Sequence, residues 1–450
     1  MECETTIWVV LTVDLSPVAF TRFTMPDTGP DTGPGTGPDT GPDTGPGTGP
    51  DTGPGTGPDT GPDTGPDAGP RIWIGEEHPI GFAATQLVPS WTARTPPGTW
   101  IEIALRATTA SGTRTKWYIM GRWSEHGDPR TSVPGQGDGD GDVAVDTFVA
   151  RRPVVACQLR VTRHGAGARV TGLGVMASAP PQHPLPPATA AGPGADTGAV
   201  DAAGPDADTG PGAPGTGGGV GTGGGAGSFS GVEARGGVGA VELAVPRHSQ
   251  YAHAGHHPRW DGGGANWCSP ASVAMVLGFW GRGPGPGELA WVGADDPAPT
   301  VDHAAMGVYD ESYQGTGNWP FNVAYAGRYG LAGFVTRLRS AAELERFVRA
   351  GIPVITSQSF KAHELPGSGY STNGHIMVVR GFTAGGDVVV NDPAAPAEAE
   401  VRRVYPRAAF ERVWLRSPGS GGGTGDGSGG IVYILHPPEH PLPPCMNGNW

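Results

Sequence analysis

A cysteine, a histidine and an aspartate stand in this 450-residue chain where they could assemble a thiol-dependent hydrolase. Cys268 lies in GGANWCSPASVAMVL, where a glycine-loosened approach gives way to an apolar run that predicts a helix. Pro270 fits the first turn of that helix, so Cys268 stands at its start, where backbone N–H groups and the macrodipole favour a thiolate over a thiol. His375 follows a polar turn and opens the apolar run of TNGHIMVVRGF, which places its ring at a sheet edge near a cleft. Asp392 closes the next strand in DVVVNDP, and a hairpin joining the two strands would bring its carboxylate beside the imidazole. There Asp392 would orient His375, the imidazolium would stabilise the Cys268 thiolate, and His375 would protonate the leaving group of an attacked amide. Attack on a peptide carbonyl also needs donors for the oxyanion. The Cys268 N–H is one; Gln250, in VPRHSQ, is the first choice for the other and Asn266 the second.

Plainer readings compete at each position. A cysteine with apolar flanks is ordinarily a core thiol, and Cys157, sharing a strand face with Leu159 and Val161, is read that way. What sets Cys268 apart is that His375 and Asp392 follow it in order on one hairpin. His253, His256 and His257 raise a metal site with Cys268 as fourth ligand. Their loose spacing among Gly, Pro and Tyr predicts a mobile loop, and such a site would consume the nucleophile, so no metal and no cofactor is expected. Asp138, Asp140 and Asp142 are spaced like calcium ligands, but Val143 stands where a calcium loop has glycine and Val149 where it has glutamate. A solvated turn is the expectation there. Cys3, Cys157, Cys268 and Cys445 show no paired spacing, which excludes a zinc knuckle or a disulfide framework.

The elements that must position these groups follow from hydrophobic period. From about Arg71 to Ser178 the period is two: in WIEIALRA, Ile101, Ile103 and Leu105 share one face while Glu102 and Arg106 take the other. KWYIMGRW, VVACQLRVT and ARVTGLGVM repeat the pattern between Gly, Pro and Asp clusters, which predicts a β-sandwich over 71–178. From about 243 to 436 the texture is mixed, and an α+β domain is expected. Ser340 with Glu343 forms a capping box before Leu344, Phe347 and Val348, with Gly351 as the stop; Asn318 caps a helix through Phe321, Tyr325 and Tyr329. IPVITSQ, HIMVVRGF, DVVV and IVYIL read as strands.

The rest of the chain carries little packing signal. Segment 26–70 repeats Asp/Gly-Thr-Gly-Pro; glycine is not at every third position, which excludes a collagen helix and leaves an extended spacer. A Gly/Ala/Pro-rich linker is expected over 179–240, a flexible glycine-rich loop over 417–430 and a tail over 437–450, so that two folded domains sit on flexible connectors. The net charge is −14, but eight aspartates of the 26–70 repeat account for much of it, and no basic patch points to nucleic acid. The apolar run from Ile7 to Val13, within the uncertain segment 1–25, has acidic Glu2 and Glu4 before it and Asp14 behind, so no signal peptide is read; nor is any run long enough for a transmembrane helix.

Taken together, VPRHSQ, NWCSPASVAMVLGFW, GNWPFNVAYAGRYGL, GIPVI and NGHIMVVRGF with VVVNDP resemble the stand-alone, papain-like members of cysteine peptidase family 39 found in actinobacteria, relatives of the bacteriocin double-glycine leader peptidases. The resemblance spans about Arg71 to Leu435 and includes the upstream β domain. It implies Cys268 as nucleophile, His375 as base and acid, Asp392 as orienting residue and Gln250 as oxyanion donor. It also implies a peptide or protein substrate, a monomer, and an extracellular or cell-surface setting. Ser269 stands where many relatives have glycine, and YAHAGHHPRWDGGG stretches the segment between Gln250 and Cys268. The double-glycine specificity belongs to transporter-fused relatives and is not implied. Two other functions stay open: a cell-wall amidase of the NlpC/P60 type, and a degenerate enzyme whose β domain binds a glycan or wall polymer. The shorter Cys-to-His interval of NlpC/P60 enzymes and the intact candidates for each catalytic role favour the peptidase.

Overall fold

The computed structural model describes residues 17–25, 69–127, 129–180, 239–293, 295–417 and 427–450. The expected spacers over 26–70 and 179–240, the centre of the 417–430 loop and the run from Ile7 to Val13 lie almost wholly outside these residues.

The alternating segments form one antiparallel sheet of β1 (Val18–Arg22), β2 (Arg71–Ile74), β3 (His78–Arg94), β4 (Trp100–Thr109), β5 (Tyr118–Trp123), β6 (Gly141–Ala144), β7 (Thr147–His164) and β8 (Arg169–Ser178). The order is β1-β8-β3-β7-β4-β5, with β2 and β6 also paired to β7. The sandwich character comes from the long β3, which pairs with β7 through its first half and with β8 through its second, so that the sheet folds over itself. Gly121 on β5 lies close under β3: a Cβ there would stand 2.9 Å from the Trp91 ring. One strand arrives from outside the expected boundary. Val18–Arg22 pairs in register with Gly174–Ser178, so part of segment 1–25 belongs to this sheet.

The second domain has the expected α+β character. Strands β9 (Val241–Glu242), β10 (Ala332–Arg337), β11 (Val354–Phe360), β12 (Thr372–Phe382), β13 (Val388–Asn391), β14 (Arg402–Tyr405) and β15 (Ile431–His436) form an antiparallel sheet of order β10-β15-β11-β12-β13-β14, with β9 on β12. Its helices are α1 (Cys268–Phe279), α2 (Pro286–Leu289), α3 (Pro299–Val308), α4 (Trp319–Arg328), α5 (Ala341–Arg349) and α6 (Arg407–Trp414). The capping expectations hold, since Asn318 accepts from the Phe321 N–H and Ser340 from the Glu343 N–H. Glu343 departs from a reciprocal box by accepting from the Arg339 N–H. Helix α1 is buried from Ser269 to Leu277 and apolar on all sides, as a helix enclosed by a sheet and other helices must be.

The two folded domains pack on one another, because one hydrophobic cluster runs through both. Trp91 and Trp123 of the β domain pack on Phe321 of α4, each ring fully buried. Burying a large apolar side chain is worth about 1.5–3 kcal/mol, whereas an exposed ion pair contributes about 0–1 kcal/mol, so the aromatic contact dominates the join. Polar contacts fix its register: Trp319 N–H donates to Asp146, the Val335 N–H to Ser90 Oγ, and the buried Arg337 to Gln86 and Ser178. The tail 437–450 packs on the second domain. Trp450 is buried against Phe347, its indole N–H donating to the Pro443 carbonyl, and buried Asn449 donates to Glu343.

Candidate active site

The β12–β13 hairpin and the start of α1 meet at one place. Strand register pairs Val378 with Asn391, so Asp392 leaves the sheet one step further on, beside His375. His375 Nε2 lies 2.8 Å from Asp392 Oδ1, with both side chains buried. Ser272 Oγ, on the second turn of α1, donates to the Ile376 carbonyl, and that contact holds the start of the helix against His375. Cys268, half-buried, is the first residue of α1 and lines the same cleft as His375, near enough to raise its imidazole. With Nε2 taken by Asp392, Nδ1 is the ring nitrogen left for sulfur. Ser269 turns inward, its hydroxyl 3.3 Å from that of Tyr433.

The charges follow from these contacts. Burial works against a charged His375, but Asp392 and then Cys268 outweigh it and push the imidazole up to about 9. Burial would likewise raise Asp392, yet His375 and Tyr405 hold its carboxyl at about 2. Sequence reasoning missed the groups behind that carboxylate. Tyr405 Oη donates to Oδ2 at 2.7 Å, Tyr370 Oη at 2.9 Å, and the Ala394 N–H to Oδ1 at 3.0 Å. Tyr405 ends β14, the strand beside β13, and a period-two count along RRVY could have placed its face but not its partner.

Gln250 opens a one-turn helix, Gln250–His253, tied down on two sides. Its N–H donates to the Pro393 carbonyl, next to Asp392, and its side-chain amide donates to the carbonyl of Ala265, three residues before Cys268. Asn266 lines the cleft and donates to the Asp261 carbonyl. Each amide therefore keeps a second N–H beyond its backbone contact. No side chain caps α1.

The segment between Gln250 and Cys268 contradicts the expectation of a mobile loop. Trp260 and Trp267 pack with Ala271 and Ala274 of α1 and Val301 of α3 in a small core of their own, and the Trp267 indole donates to the Trp260 carbonyl. The aromatic residues in the stretch supply the burial that its glycines do not. Gly263 takes φ +98°, and a methyl on Gly264 would collide with the His253 carbonyl and stand 2.6 Å from that of Gln250. His253 is fully buried and Cys268 is not among its neighbours of metal-ligating type. Instead His253 and His256 gather with Asp296 and Asp302. In the 138–142 loop, Asp138 accepts from the Tyr118 hydroxyl and the Asp140 and Gly141 N–H groups.

Both domains wall the cleft over Cys268 and His375, a space of about 440 Å³. The β domain contributes the turn after β6, where Val145 adopts φ 57° and Asp146 is buried. Burial pushes the Asp146 carboxyl up to about 7, against the hydrogen bond from the Trp319 N–H. On the opposite wall is Gln358, the cross-strand neighbour of His375, whose buried amide has no hydrogen-bond partner. Neither Asp146 nor Gln358 carried a local sequence signal, since only the joining of distant segments brings them to the cleft.

Comparison with known proteins agrees with this architecture. Residues 56–178 match the family described as Peptidase C39 N-terminal domain, and residues 242–421 match the Peptidase_C39 like family. The first match falls on the β domain and the second on most of the α+β domain, so each half of the chain is similar to a family of its own. A solved structure described as that of a C39-like peptidase from Bacillus anthracis is 19% identical, covering 42% of this chain and 94% of its own, with a TM-score of 0.26. No curated protein matches the chain.

Proposed function

We propose that the chain is a cysteine peptidase that hydrolyses peptide bonds through a Cys268 thioester. The observation that carries the proposal is His375, bonded to a fully hydrogen-bonded Asp392, facing the same cleft as Cys268 at the start of α1. Cys268 Sγ attacks the scissile carbonyl carbon, the C–S bond forms, and negative charge on the oxygen is met by the Cys268 N–H and the free N–H of Gln250 or Asn266. As the intermediate collapses, the C–N bond breaks and His375 gives its proton to the departing amine. His375 then takes a proton from water, hydroxide adds to the thioester, and the acid product leaves with Cys268 restored. Asp392 keeps the proton-bearing Nε2 turned away from sulfur throughout.

The β domain walls the cleft, so in this proposal its ligand is the peptide substrate itself and not a separate glycan. No helix among the described residues is long and apolar enough to cross a membrane. The proposal includes an extracellular or cell-surface setting, by resemblance; recovery of the protein solely from washed cytosol would remove that part.

The test is an active-site titration. The folded protein is exposed to a peptide-like, thiol-directed electrophile, the adduct is mapped by mass spectrometry, and the rates are compared with those of His375→Ala. Fast labelling at Cys268 that collapses in the variant is the expected result. Equal, slow rates in both proteins would return Cys268 to the status of a packed thiol.

A further inference from the structure

We propose that His253, His256, Asp296 and Asp302 form a second site, a structural divalent-cation centre for Zn²⁺, at the back of the segment that links Gln250 to Cys268. The four ligand atoms lie within 4.8 Å of one another. The separations are 2.7 Å from His253 Nδ1 to Asp302 Oδ2, 3.2 Å from His256 Nδ1 to Asp296 Oδ2 and to Asp302 Oδ1, and 3.6 Å from His253 Nδ1 to Asp296 Oδ2. A tetrahedral zinc ion bound at about 2.0–2.1 Å keeps its ligand atoms roughly 3.3 Å apart, and these four separations, from 2.7 to 3.6 Å, bracket that value.

A second observation points to an ion. His253 and Asp302 are fully buried, and both His253 ring nitrogens, Asp302 Oδ2 and Asp296 Oδ2 have no hydrogen-bond partner. His253 Nδ1 and Asp302 Oδ2 are close enough to bond yet lack the alignment, as two lone pairs converging on a shared centre would. Buried polar atoms are almost always paired, so this group of orphans within a few ångströms marks a missing partner. Two carboxylates would neutralise a divalent ion, and two imidazoles favour zinc over the hard cations, which demand six or more oxygens. His256 reaches solvent and gives the ion a route in, with 37% of its side chain exposed.

The ion would staple three pieces of chain. His253 ends the turn that Gln250 begins, Asp302 lies on α3, and Asp296 precedes that helix. Cys268 is not a ligand, so the proposal stands whether or not the chain is a peptidase.

The test uses the full chain purified without chelator, its metal content read by plasma mass spectrometry, then stripped and titrated with Co²⁺. One equivalent of zinc per chain is expected. The cobalt form should show the visible ligand-field bands of a tetrahedral nitrogen–oxygen site, with no thiolate charge-transfer band. His253→Ala and Asp302→Asn should each weaken binding by more than the roughly 10–100-fold that changing a group behind a ligand costs, and Cys268→Ser should leave it unchanged. Absence of a saturable site in the unsubstituted protein would overturn the proposal, as would a thiolate band abolished by Cys268→Ser. Should the buried substitutions prevent folding, the cobalt spectrum of the unsubstituted chain and the binding of Asp296→Asn decide the matter alone.

Discussion

Two buried histidine–aspartate contacts of nearly equal length lie on either side of α1, 2.8 Å for His375 with Asp392 and 2.7 Å for His253 with Asp302. Their surroundings differ. Asp392 is saturated by two tyrosine hydroxyls, a backbone N–H and the imidazole, so its negative charge is fixed and can hold a proton on His375. Asp302 has one hydrogen-bond partner, His256 Nδ1 at Oδ1, while its Oδ2, both His253 ring nitrogens and Asp296 Oδ2 have none, and Asp296 brings a second carboxylate to the cluster. A buried carboxylate with its donors in place orients and charges a neighbouring base, whereas one short of donors calls for a cation.

The comparison breaks most sharply at Asp392. Asp392→Asn should lower kcat/KM by about 10²-fold or more, within the range that general acid–base catalysis supplies. It should also shift the pH profile. His375 sits at about 9, above its ordinary 6.5, largely because Asp392 offsets burial. Activity that needs the imidazolium should hold through neutral pH and fall as pH rises through about 9; in Asp392→Asn that alkaline limb should move to lower pH. The same raised value adds folding stability that is full below 6.5 and lost through about 9. Asp392, depressed to about 2 from 3.8, adds stability that is present above 3.8 and lost as pH falls through about 2. An alkaline limb unmoved by Asp392→Asn would mean that the two histidine sites do not differ in the way described.

Gly264 tests how the two regions are joined, since it packs directly on the His253 and Gln250 carbonyls while leading into Cys268. A methyl there must push the turn away, at about 1–3 kcal/mol for overpacking. Gly264→Ala should lower the thermal midpoint and reduce kcat/KM about tenfold, with the alkaline limb still near 9 because the β12–β13 hairpin is untouched. A variant of full activity and stability would show that the turn can shift freely.

Much of the placing of Cys268, His375 and Asp392 was legible because it is local. A helix start, a strand opening and the end of the next strand are sequence features, and the strand register did the rest. The β domain was legible for the same reason, through the alternation in WIEIALRA and its neighbours. The cleft was not legible, because its walls come from segments more than 100 residues apart, such as Val145 and Asp146 beside Gln358 and Cys268. The 251–267 stretch misled because its glycines suggest mobility, while Trp260 and Trp267 bury it.

The smallest effect concerns the donors behind Asp392. Tyr405→Phe removes the 2.7 Å hydrogen bond to Oδ2 and leaves Tyr370, the Ala394 N–H and His375 in place. Losing one charge-assisted bond costs about 1–3 kcal/mol of stability, because the carboxylate keeps its burial while giving up a donor. With fewer donors the Asp392 carboxyl rises from about 2, and the acid side of the stability profile should shift upward with it. His375 still faces an ionised carboxylate at neutral pH, so kcat/KM should drop only a few-fold and the alkaline limb should stay near 9. Tyr405→Phe and Asp392→Asn therefore separate charge from its supports: the first moves the acid edge of stability, the second the alkaline edge of activity. If Tyr405→Phe instead matched Asp392→Asn in both, the hydroxyl would be positioning His375 through Asp392, and the triad would function as four residues.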